Sequence, residues 1–113
     1  MKRHYLFAAA LALPQLALAT TISGTLITAG GGDSSYVTVR AANGTEVTAW
    51  CVKKECEQVV GESDDPNQGY FLKKKFKGSK VILEYKIERN RGRVLGPGND
   101  DRLEIVKQLT VLK

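Results

Sequence analysis

The chain has 113 residues, a formal net charge of +5 at pH 7, one histidine and two cysteines. That length holds one small domain and leaves no room for a second. The only histidine, His4, and the only methionine, Met1, stand at the extreme N-terminus.

Residues 1–19 read as a cleavable export signal. Lys2 and Arg3 make a charged tip, an uninterrupted apolar run covers residues 5–13, Pro14 breaks it, and Ala17-Leu18-Ala19 offers the small residues that signal peptidase accepts. The run is about nine residues, against the roughly 20 that a membrane-spanning helix needs, so the expected outcome is cleavage after Ala19 rather than membrane insertion. The residue after the cut is Thr20, not a cysteine that could carry a lipid.

Residues 20–113 then form the mature domain, in the periplasm or secreted. Losing Lys2 and Arg3 lowers the net charge from +5 to +3, a weak pull on polyanions. Losing His4 and Met1 removes imidazole for Ser-His-Asp or Cys-His nucleophiles, for general-base work and for His-containing zinc sites. It also removes the thioether that a soft copper(I) site needs. No pattern in the remainder points to a cofactor or metal.

In chain order, residues 20–28 mix Ile22, Leu26 and Ile27 with threonines and read as a first strand, followed by a Gly-rich connection over 29–35. Residues 36–41 alternate, with Val37, Val39 and Ala41 on one face and Tyr36, Thr38 and Arg40 on the other. Asn43-Gly44 suits a two-residue type I′ hairpin turn, and residues 45–52 alternate again with Val47, Ala49 and Cys51 inward. The same Asn43-Gly44-Thr45 matches a glycosylation acceptor, but in a bacterial export context the turn accounts for it.

Cys51 and Cys56 are spaced C-x4-C with no third soft ligand, which in an oxidising compartment reads as a structural disulfide. On one helix their Cα atoms would be about 8.6 Å apart, beyond disulfide reach, so the expectation is a turn over residues 52–55 joining paired strands. Residues 61–69 (GESDDPNQG) read as an exposed acidic loop in which Asp64 and Asp65 lack the ligand spacing of a calcium loop. Residues 70–77 (YFLKKKFK) read as a short helix, with Leu72 and Phe76 four apart.

Residues 80–89 give the clearest strand, with Val81, Leu83, Tyr85 and Ile87 opposite Ile82, Glu84, Lys86 and Glu88. After turn-rich segments comes a last strand over 102–112, carrying Leu103, Ile105, Leu109 and Val111 with a bulge near Val106.

Three strands in a meander, an irregular or helical insert and two further strands are the order of an OB-fold. The approach to the fourth strand, Lys77-Gly78-Ser79-Lys80-Val81-Ile82-Leu83, resembles bacterial OB-fold proteins of the nucleic-acid-binding-like superfamily. The resemblance runs over residues 21–112, and the C-x4-C hairpin is not part of it. The expected fold is thus mainly β, a five-stranded OB-fold-like small barrel with one disulfide hairpin.

The resemblance implies ligand binding on the face of strands two and three and in the loops after strands one and four. Parity places Tyr36, Arg40 and Trp50 on that outward face, where stacking and charge pairing are available, and Arg91 and Arg93 in the later loop. The leading expectation is a non-catalytic module that binds a protein, peptide or anionic glycan of the bacterial envelope. The alternative is a single-stranded nucleic-acid binder, drawing on Lys73, Lys74, Lys75, Lys77 and Lys80 ahead of Arg89, Arg91 and Arg93; Glu84 and Glu88 dilute that stretch. A small enzyme ranks last: Ser34, Ser35, Asp100 and Asp101 are its only material, and adjacent carboxylates on extended backbone point apart.

Overall fold

The computed structural model describes residues 18–113. The segment expected to be an export signal, with Met1 and His4, therefore lies outside the described residues apart from Leu18 and Ala19.

Among the described residues, seven strands follow in chain order: β1 (Thr20–Gly30), β2 (Ser35–Ala41), β3 (Glu46–Cys51), β4 (Val60–Glu62), β5 (Tyr70–Leu72), β6 (Lys80–Arg89) and β7 (Arg102–Val111). Five of them close into a barrel in the order β1-β2-β3-β7-β6, and β4 and β5 form a separate two-stranded sheet. Every ladder in the barrel is antiparallel except the closing one, where β3 meets β7 in parallel through a single bridge, Trp50 to Ile105. The fold is the mainly β, five-stranded OB-fold-like barrel that the strand order implies.

Closure demands that β1 bend sharply, because it pairs with β2 over one half and β6 over the other. Gly24 stands where the two ladders overlap, opposite Ala41 on β2 and Val81 on β6. A Cβ there would sit 2.2 Å from the Arg40 carbonyl oxygen, so only glycine fits. A bulge at Ile27, between the Leu26 and Thr28 pairs, adds further coil.

The alternating residues fill the barrel. Leu26, Val37, Val39, Ala49, Val81, Leu83 and Val106 are fully buried and belong to one core, each larger aliphatic among them contributing roughly 1.5–3 kcal/mol of burial. The expected bulge on β7 falls at Lys107, since Gln108 pairs with Glu84 and Val106 with Tyr85. That one extra residue turns Leu109 and Val111 inward but Leu103 and Ile105 outward. Ile105 is nonetheless fully buried, and it lies outside the barrel core.

The structure corrects three local expectations. Residues 70–77 are not a helix: Tyr70–Leu72 is strand β5, and only Lys74–Phe76 makes a 3₁₀ turn. Tertiary pairing overrides the four-residue spacing, because the Tyr70 N–H donates to the Gly31 carbonyl and the strand pairs with β4.

The β2–β3 connection is not a two-residue type I′ loop. Gly44 alone has a positive φ, its N–H donates to the Ala41 carbonyl, and the Ala41 N–H donates to Thr45. This is a three-residue loop, with the Asn43 side chain accepting from the Thr45 N–H at 3.0 Å. The type I′ geometry occurs instead at Arg91-Gly92, both at positive φ, with the Arg93 N–H donating to the Asn90 carbonyl.

The Cys51–Cys56 disulfide is formed, with Cα atoms 6.0 Å apart. Cys51 ends β3, but Cys56 lies in a turn rather than on a paired strand, its carbonyl accepting from both Val59 and Val60. The loop is thereby tied to β4 instead of laddering back on β3.

Candidate functional site

The outward face of β1, β2 and β3 is organised in cross-strand rows. Gly30, Tyr36 and Trp50 form one row, Thr28, Thr38 and Thr48 the next, and Thr25, Arg40 and Glu46 the third. Tyr36 and Trp50 meet edge to face with ring centroids 5.4 Å apart, a geometry worth about 0.5–1.5 kcal/mol beyond burial. The Tyr36 hydroxyl lies over Gly30, where a Cβ would come within 2.9 Å of it. Trp50 in turn stands beside buried Ile105 at the closing bridge. Both rings are half-buried, so they shield neighbours while presenting part of their surface.

Thr38 and Thr48 share a 2.7 Å hydrogen bond between hydroxyls, and Thr38 is buried although parity points it outward. Arg40 donates through Nε and Nη2 to Glu46 Oε2 at 3.0 and 2.7 Å. Its charge is matched on the spot, which leaves little field for an anionic ligand.

The loop after β6 is built on Asn90, which is fully buried. Its Nδ2 donates to the Val94 and Pro97 carbonyls and its Oδ1 accepts from the Val94 N–H. Arg93 is spent on this scaffold. Its Nε donates to the Asn90 carbonyl, Nη2 to the Arg89 carbonyl at 2.7 Å, and Nη1 pairs with Glu88 at 3.1 Å. Lys107 reaches the same Glu88 oxygen at 3.0 Å. Partial burial acts to raise the Glu88 carboxyl, but the hydrogen bonds and charges of Lys107 and Arg93 outweigh it and hold Glu88 below the ordinary glutamate range. Arg91 is exposed, at φ 52°, and its side chain makes no ion pair among the described residues.

In the next ladder pair, on the opposite face of the sheet from the aromatic pair, Ser35 and Cys51 face each other and line an open cleft of about 460 Å³. The β1–β2 connection borders it at Asp33, and the disulfide loop at Lys53 and Glu57. Val60, Glu62 and Tyr70 contribute from the β4–β5 hairpin, and Arg93 closes it from the β6–β7 side. Of the binding residues named from sequence, only Arg93 lines the cleft; Tyr36 and Trp50 form a contact pair one ladder step away, on the opposite face of the sheet from Ser35 and Cys51, and are not part of the lining. Arg40 stands two rows away, and Arg91 is absent from the lining.

A second groove, of about 490 Å³, lies at the other end of the β1–β2 ladder around Gly24, Arg40 and Lys80. Its cations are also committed, Arg40 to Glu46 and Lys80 Nζ to the Thr25 hydroxyl at 3.0 Å.

Sequence reasoning missed the β4–β5 wall of the cleft and the Glu46 partner of Arg40. The second was recoverable: inward-facing Val37 and Val39 can oppose inward-facing Ala49 and Val47 only if the loop has an odd number of residues. That parity excludes a two-residue turn, and the shortest hairpin loop left, three residues, sets Arg40 opposite Glu46 as observed.

Comparison of the chain with protein-family models, with curated proteins and with solved structures gives no match.

Proposed function

We propose that the chain is exported and works outside the cytoplasm, in the periplasm or beyond, as a non-catalytic binding module for a protein or peptide of the bacterial envelope. The open cleft lined by Asp33, Ser35, Lys53, Glu57, Glu62 and Tyr70 carries this reading. It offers a concave surface bordered by three connections, the arrangement in which a rigid barrel presents recognition groups on loops.

Export is supported at the other end of β1. The first ladder pair of β1 with β6 is Thr20 to Tyr85, so a cut after Ala19 takes nothing from the barrel. The disulfide favours an oxidising compartment. No helix of the described residues is long and apolar enough to cross a membrane.

The charges favour a protein or peptide over an anionic glycan or a nucleic acid. Arg40 and Arg93 are already paired with carboxylates. A polyanion site needs such cations available along one track. Non-catalytic action is supported by the absence of histidine after residue 4 and of free cysteine among the described residues.

Photocrosslinking side chains placed at Ser34 and Lys53 in producing cells test the reading. They should trap the same envelope protein, while a crosslinker at Lys86, away from the cleft, should not. Equal trapping from all three positions would refute the cleft as the binding surface.

A further inference from the structure

The β4–β5 hairpin leaves one edge unused. Ladder hydrogen bonds run from the Ser63 N–H to the Gly69 carbonyl and from the Lys73 N–H to the Val59 carbonyl. With Gly61 opposite Phe71 in the same register, residues 59, 61 and 63 turn their backbone groups toward β5. Val60 and Glu62 therefore turn theirs away. The Val60 N–H is taken by the Cys56 carbonyl. The Val60 carbonyl and both the N–H and carbonyl of Glu62 have no backbone partner among the described residues, and β4 pairs with no strand but β5.

These two residues are also the ones from β4 that line the cleft. The charge beside them is negative in balance. Asp33, Glu57 and Glu62 border the cleft against two cations, Lys53 and Arg93, and the second is drawn to Glu88, which it shares with Lys107. The protein as a whole is basic, so this is a local reversal of its field.

We propose that the cleft takes an extended basic peptide segment of a partner protein, added as a strand along the free edge of β4. Backbone bonds to the Val60 carbonyl and to Glu62 supply the pairing, and lysine or arginine side chains of the peptide answer Asp33, Glu57 and Glu62. Tyr70 supplies an aromatic surface for the aliphatic stems of those side chains. This deepens the reading of the cleft as a binding surface and rests on it.

The test uses the exported protein as purified and a short fluorescent peptide of alternating lysine and valine, with binding read by polarisation. The peptide should bind, and an otherwise identical glutamate–valine peptide should not. Methylating the backbone nitrogens along one edge of the peptide, which keeps every charge, should weaken binding by about tenfold or more. Glu62→Pro removes the outward N–H but none of the ladder bonds to β5, and should do the same. Glu57→Gln with Glu62→Gln should weaken binding roughly tenfold and flatten its salt dependence.

Binding that ignores backbone methylation and Glu62→Pro would overturn strand addition. Preference for the glutamate peptide, or no binding of either peptide, would overturn the basic-peptide assignment. Neither outcome touches the crosslinking result at Ser34 and Lys53, so failure here is distinguishable from failure of the cleft as a binding surface.

Discussion

Asn90 grips Val94 twice: its Nδ2 donates to the Val94 carbonyl at 2.8 Å and its Oδ1 accepts from the Val94 N–H at 2.7 Å. A third bond, to the Pro97 carbonyl, makes this buried amide the organiser of the whole β6–β7 loop. Asn90→Ala leaves the Val94 groups without their partner, and each buried unsatisfied group costs about 1–3 kcal/mol. We expect a loss of roughly 3 kcal/mol in urea unfolding. Asn90→Asp, which keeps the acceptor but loses both donated bonds, should be nearly as damaging. A loss below about 1 kcal/mol for both would mean that water replaces the side chain.

The strands that sequence makes legible are those with one face in the core. In β2, β3 and β6 the alternation of Val37 and Val39, Val47 and Ala49, and Val81 and Leu83 is imposed by burial, and burial is what periodicity reports. Short elements held by distant partners are not legible in this way. Tyr70–Leu72 becomes a strand because the Gly31 carbonyl and β4 meet it, and neither is visible in its own three residues. The same holds for the site. Parity shows that Tyr36 and Trp50 face outward, but not that they touch, since contact depends on a register fixed by the Ala42–Gly44 loop. The cleft is invisible for a further reason: its walls come from three separate connections and the β4–β5 hairpin.

Two glycines that look alike in sequence should behave differently. At Gly24 an added methyl collides with the Arg40 carbonyl, part of the backbone at the coil of β1. At Gly61 it meets the tip of the Phe71 ring at 2.6 Å, and that ring is 47% exposed and free to swing aside. Gly24→Ala should cost more than about 2 kcal/mol, as overpacking against rigid neighbours does. Gly61→Ala should stay within about 1 kcal/mol. Thermal melts of the two variants decide it, and equal losses would show that β4–β5 is as rigid as the barrel.

The disulfide closes a loop with a sequence separation of 5, so chain entropy assigns it only about 2 kcal/mol. Both sulfurs belong to buried residues of the core, and Cys51→Ser with Cys56→Ser should therefore lower the melting temperature without abolishing folding. A dithiol reductant should lower the wild-type melt by a similar amount and leave the double variant unchanged. Equal melts with and without reductant would remove the staple from the account of stability.

Glu88 sets an acid limit. Its folded carboxyl lies below the ordinary value of 4.5 because Lys107 and Arg93 hold it ionised against the cost of partial burial. The group binds more protons in the unfolded chain than in the folded one as pH falls through 4.5. Its contribution is thus complete above that value and is lost as pH drops through the lower folded value. Glu88→Gln should lower stability at neutral pH and reduce the slope of stability against pH on the acid side. Urea midpoints measured between about pH 6 and 3 test this. Parallel curves for variant and wild type would assign the acid sensitivity to other carboxylates.

Trp50 stands at the barrel closure, one residue before Cys51 of the cleft, and its substitution tests whether it serves the closure alone or the partner as well. It is the only tryptophan, it pairs with Ile105 at the single bridge between β3 and β7, and it packs edge to face on Tyr36. Trp50→Ala uncovers Ile105 and removes the aromatic pair. Truncating a fully buried tryptophan costs about 3–5 kcal/mol; this ring is half-buried, so roughly 2 kcal/mol is expected. Trp50→Phe keeps a ring at the bridge and should recover most of that stability. Partner trapping from Ser34 and Lys53 separates the two roles. If the indole serves the partner, Trp50→Phe folds like the wild type yet traps less. If Trp50→Phe traps as well as the wild type, the indole serves the closure of the barrel alone, and recognition belongs to the cleft walls.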